Sequence, residues 1–80
     1  MIYRIHLTAG NGLPVSETRK RADAAALLAE TLVRNVVRFN AGLDTAQGNA
    51  AILAVRAIDP TRGGTATFYG RMLTITPSRS

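Results

Sequence analysis

Along residues 2–9 the apolar positions recur at every second residue: Tyr3, Ile5 and Leu7 share one side, and Arg4, His6 and Thr8 share the other. That period predicts a strand with one buried and one wetter face. Gly10-Asn11-Gly12 breaks the pattern, and Pro14 keeps Leu13 out of the α region. From about residue 18 to residue 40 the period becomes helical, with Ala24, Leu28, Leu32, Val36 and Phe39 spaced by four, four, four and three. Ala25, Leu27, Ala29, Val33, Val37 and Leu43 widen the stripe to the breadth needed to cover a sheet. Ser16 or Thr18 is the expected N-cap, without the Glu or Gln of a capping box. On the polar side Glu30 precedes Arg34 by four residues, the favourable order for a helical ion pair. Asn40-Ala41-Gly42 supplies the stop, with Gly42 at C′.

Residues 43–49 are polar and turn-like, and a second strand is predicted over 51–58, where Leu53, Val55 and Ala57 alternate with Ile52, Ala54, Arg56 and Ile58. Asp59-Pro60-Thr61-Arg62-Gly63-Gly64 reads as a hairpin loop, because proline pre-sets a turn dihedral and glycine admits a left-handed residue. The returning strand, 65–76, does not alternate strictly: Phe68 and Met72 have one parity, while Tyr69, Leu73 and Ile75 have the other. A bulge near Gly70 would reconcile the two sets. Residues 1–76 are read as one α/β domain and 77–80 as a short polar tail.

The expected fold is therefore α+β, in the order β-α-β-β. One long helix of roughly 30 to 35 Å packs on one face of a three-stranded mixed or antiparallel sheet. The first strand lies either parallel to the second through a right-handed crossover or antiparallel to the third, so the orders 1-2-3 and 2-3-1 both fit. A single helix covers one face only. The open face is expected to carry Arg4, His6 and Thr8, then Ile52, Ala54, Arg56 and Ile58, then some of Thr67, Tyr69 and Arg71.

Composition narrows the chemistry. At 80 residues, with 46% hydrophobic and 19% charged residues, the chain has enough apolar content to fold but a small core that gains from a partner. Without cysteine there is no disulfide or thiolate metal site, and His6 is the only histidine. No signal peptide is recognised and no apolar run is long enough to span a bilayer, so a cytoplasmic location with no membrane partner is the simplest expectation. Glu17, Asp23, Glu30, Asp44 and Asp59 are scattered, His6 has no nucleophile beside it, and Gly10-Asn11-Gly12 lacks the rest of a phosphate loop. No catalytic residue, metal ligand or cofactor site is expected, and the chain reads as non-enzymatic.

The formal charge is +5, and nine of the ten basic residues are arginine. This suits phosphate, but with the abundant alanine it equally fits the coding bias of a bacterial or phage genome. Two binding functions follow. The first is a protein-interaction or assembly module that self-associates through its sheet, as a homodimer or with another protein, using Ile52, Ala54, Ile58 and Tyr69. The alternative is a basic nucleic-acid-binding accessory protein. It would use Arg4, Arg56 and Arg71 as a sheet stripe beside His6 and Tyr69, and Arg19, Lys20 and Arg21 as a second patch.

Overall fold

The computed structural model describes residues 1–10, 12–40 and 45–79. The first strand, β1 (Ile2–Leu7), buries Tyr3, Ile5 and Leu7 and exposes Arg4 and His6, as its alternation dictates. The chain then turns back into β2 (Val15–Arg19), which pairs antiparallel with β1 from Leu7 opposite Val15 to Tyr3 opposite Arg19. Ser16 and Thr18 thus belong to an edge strand and cap nothing. The helix α1 (Ala22–Phe39) starts later than its pattern predicts, after Arg21, which makes no side-chain cap. Asp23 serves the first turn instead, accepting from the Ala24 N–H and pairing with Arg21.

A second helix, α2 (Thr45–Arg56), stands where a strand is predicted. Its buried positions, Gly48, Ala51 and Val55, with Ile52 half-buried, are spaced three or four apart, and Ala46, Ala50 and Ala54 add helix-favouring alanine to the remainder. Short apolar runs fit either period, and here helix propensity and the α1 surface decide. Gly48 is a contact point: a Cβ there would stand 2.9 Å from Val37 Cγ1 of α1 and 3.0 Å from the Tyr69 hydroxyl, so a side chain at this position would force a neighbour to shift. Across the outer side of the pair, Glu30 of α1 accepts from Arg34, one turn on, and from Arg56 of α2.

Residues 59–64 lead from α2 into the sheet and are no hairpin loop. Asp59 Oδ1 accepts from both the N–H and the hydroxyl of Thr61, and the N–H groups of Arg62 and Gly63 close on the Asp59 carbonyl. The true hairpin lies within the single strand predicted over 65–76. Here β3 (Gly64–Phe68) and β4 (Arg71–Ser78) join through Tyr69 and Gly70, whose φ values of 49° and 73° form a two-residue turn matched to the twist of the strands. That turn, rather than a bulge, places Ala66, Phe68, Leu73 and Ile75 together in the core. β4 runs on through Pro77 and Ser78, opposite Tyr3 and Ile2, where a polar tail is predicted. Asn11, Gly42 and residues 43 and 44 of the predicted 43–49 turn lie outside the described residues, and the rest of that turn, from Thr45 on, is instead the first part of α2.

The result is α+β with four antiparallel strands in the order β2-β1-β4-β3, and two helices on one face. Of the two relations foreseen for the first strand, the antiparallel pairing to the last one holds. Tyr3, Ile5, Leu7, Val36 and Val55 are in the core; Leu28 and Leu32 are half-buried, and Leu53 is 64% exposed on α2. Among the described residues no helix is long and apolar enough to cross a membrane.

Leu73 is fully buried at the centre of the sheet. Leu73→Ala should cost about 2 to 5 kcal/mol in chemical denaturation, and Leu32→Ala distinctly less, because Leu32 keeps part of its surface in water. The hydrogen bond from Arg56, followed by the fields of Arg56 and Arg34, lowers the Glu30 pKa below 4.5. A carboxylate depressed in the folded state adds stability above its unfolded pKa, and that contribution is lost as pH falls through the folded value. Carboxyl NMR shifts should therefore give a Glu30 midpoint below 4.5, and Arg56→Ala should return it towards that value.

Candidate functional site

Strand register sets which side chains share the face that carries no helix. One row runs Thr18, Arg4, Thr76; the next runs Ser16, His6, Thr74, Thr65; a third joins Met72 to Thr67. Thr8 adjoins the third row, its hydroxyl accepting from the Met72 N–H at 2.8 Å. This face is a sheet of hydroxyls around Arg4 and His6, with no carboxylate in any row. β-Branched threonine suits a pleated, half-solvated surface, so strand propensity and solubility are met by one residue type.

The predicted interface is not assembled. Ile52 packs into the core from α2, Ala54 is exposed on that helix, and Ile58 beyond it lies against Gly64. Tyr69 sits in the β3–β4 turn, its N–H donating to Gln47 Oε1 and its ring hydroxyl beside Gly48. The cause is the helical state of residues 45–56, which turns the expected outward row of a strand into a helix surface.

The predicted arginine stripe is dispersed for the same reason. Arg4 alone lies on the open face; Arg56 is on α2 with Glu30, and Arg71 is buried on the helix side. Of the second cluster, Arg19 lies near Glu17, Arg21 pairs with Asp23, and Lys20 is exposed between them, so these residues form no single cationic patch.

The two sheet edges differ, and sequence reading did not distinguish them. β2 carries Glu17 and Arg19 and leads into Lys20 and Arg21, charged side chains of the kind that guard an edge. β3 reads Gly-Thr-Ala-Thr-Phe, without charge or proline. The two-residue turn makes Phe68 and Arg71 a mutually hydrogen-bonded pair, so bonded pairs recur at Ala66 with Leu73 and at Gly64 with Ile75. The N–H and C=O groups of Thr65 and Thr67 consequently point out of the sheet. Above this edge runs the flank of α2 turned away from α1, which exposes Ala50 and Ala54. A signal for this site was present in the uncharged run Gly64 to Tyr69, had the turn at Tyr69-Gly70 been read.

Among the described residues no group of histidine and acidic side chains is placed to hold a metal. Comparison with family models, curated proteins and solved structures finds no match.

Proposed function

We propose that the protein is an assembly module that self-associates by pairing β3 with β3 of a second copy, giving one continuous eight-stranded antiparallel sheet. The observation that carries this reading is the outward row of unpaired backbone groups on an uncharged edge, set against a charged edge on the other side of the same sheet. A two-fold axis at Ala66 puts Thr65 opposite the second copy's Thr67, and both residues have their hydrogen-bonding groups directed outward. Ala66 then meets its own mate at the closely spaced, non-bonded position, where a small side chain fits. Ala50 and Ala54 let the two α2 helices come near each other without a charged or bulky obstacle. Face-to-face packing of open sheets is the weaker route, because it would bury hydroxyl rows and Arg4 without assured partners.

A second reading, binding of single-stranded nucleic acid on the open face, is favoured by Arg4 and His6 standing among hydroxyls in rows without carboxylates.

Sedimentation equilibrium across the micromolar range tests both. The wild type should have the mass of two chains. Thr65→Lys combined with Thr67→Lys sets like charges directly opposite at each cross-strand pair and should yield the mass of one. A wild-type mass of one chain throughout, or an unchanged dimer in the double variant, would overturn edge pairing. Absorbance at 260 nm that sediments with the protein and is removed by salt would favour the second reading.

A further inference from the structure

Arg71 begins β4 with its side chain on the helix side, 7% exposed, and the β1–β2 connection wraps around it. Its Nε donates to the Thr8 carbonyl at 2.9 Å and its Nη2 to the Leu13 carbonyl at 2.6 Å. Gly10 and Gly12 make that wrapping feasible: a Cβ at Gly10 would stand 2.7 Å from Arg71 Cγ, and one at Gly12 3.0 Å from Nη1. A guanidinium has five N–H donors, and these bonds use two of them. Every other described carboxylate-bearing residue pairs with a different arginine: Glu17 with Arg19, Asp23 with Arg21, Glu30 with Arg34 and Arg56, and Asp59 with Arg62. Arg71 is left a buried cation held by carbonyls, without a counter-charge among the described residues. No buried side-chain polar atom of the described residues lacks a hydrogen bond, so Nη1, which has none, keeps access to solvent.

That access lies at a groove of about 270 Å³ between the β1–β2 connection and the C-terminal half of α1. Arg71 lines it with Leu7, Val15, Leu32 and Val36. Leu13 and Phe39, also in the lining, are 85% and 74% exposed, an unusual investment of large apolar side chains at a surface. The volume is just below the usual small-molecule range of about 300 to 1,000 Å³.

We infer that this groove binds a small apolar carboxylate, its carboxyl group on the free side of the Arg71 guanidinium and its apolar body between Leu32, Val36, Leu13 and Phe39. One buried monocation matches one carboxylate, which the planar fork receives through charge-assisted bonds. A phosphate dianion would find too few donors among these walls. The carboxylate belongs either to a free short-chain acid or to the C-terminal apolar residue of a peptide, and the chemistry of recognition is the same for both. This inference is independent of edge pairing, since the groove lies beside β1 and β2 and away from β3.

Amide shift titrations with octanoate, 1-octanol and a leucine-ended tripeptide, the last with and without a C-terminal amide, test it. Octanoate should give saturable shifts at Thr8, Gly12, Leu13 and Val36, and octanol should bind about tenfold more weakly or worse. Phe39→Ser, at an exposed position that does not hold the fold, should weaken octanoate by roughly fivefold. Arg71→Met should remove the preference for acid over alcohol. If that variant loosens the β1–β2 connection, the octanol comparison on wild type still decides the charge requirement. Tighter binding of the free-carboxylate peptide than of octanoate assigns the ligand to a chain terminus, and the reverse assigns it to a free acid. Absence of saturable shifts with any carboxylate, equal affinity for octanol, or shifts centred on the α1–α2 side would overturn the inference.

Discussion

The pairing of β1 with β4 joins the first and last strands in one ladder, from Ile2 opposite Ser78 to Leu7 opposite Leu73. Ile5 and Ile75 face each other at its middle, both essentially inaccessible to water, and the remaining core side chains pack on that pair. The ladder is long-range, so it carries a high loop-closure cost and forms only with the burial that accompanies it. Once it exists, the rest of the topology has little freedom. β2 must flank β1 and β3 must flank β4 as hairpin partners, and the intervening helices, joined to both hairpins on one side, must cover a single face. The hydroxyl-rich open face and the two unlike edges are consequences of that closure.

Where a segment had one dominant period, it could be read. Tyr3, Ile5 and Leu7 alternate among polar residues, and the stripe along α1 persists over five turns, so both elements follow from the chain alone. Residues 51–58 had two consistent readings, since Leu53, Val55 and Ala57 satisfy a strand while Gly48, Ala51 and Val55 satisfy a helix. The decision lay in a tertiary fact, the close approach of Gly48 to Val37 of α1 and to Tyr69, which local pattern does not contain. β2 was missed for a different reason: with Glu17 and Arg19 on its inner side it has almost no apolar signature, and only the ladder with β1 defines it. Tyr69-Gly70 was missed because a two-residue turn can begin with a tyrosine at φ 49°, a position that usually carries Asn, Asp or Gly.

The site residues were legible to a matching degree. Arg4 and His6 are where their strand parity puts them, because β1 was read correctly. Arg56, Ile52 and Ala54 moved with α2. Arg71 changed meaning most. Expected as an exposed phosphate contact, it is instead the buried pin of the β1–β2 connection, without a counter-charge among the described residues. The cationic groups of the described residues are distributed over several surfaces. Arg19, Arg21, Arg34, Arg56 and Arg62 stand in local ion pairs, Arg4 lies on the open face, Lys20, Arg38 and Arg79 are exposed, and Arg71 is buried beneath an apolar groove.

In the proposed assembly, β1–β4 closure leaves β3 as an edge whose outward backbone groups are taken up by a second copy. Amide hydrogen exchange residue by residue tests it most directly, because it separates the two sides of one strand. The N–H groups of Ala66 and Phe68 point into the ladder with β4 and should be protected at every protein concentration. Those of Thr65 and Thr67 should be protected only where the dimer is populated, and should lose protection on dilution. Slow exchange at Ala66 and Phe68 beside fast exchange at Thr65 and Thr67 at all concentrations would contradict edge pairing.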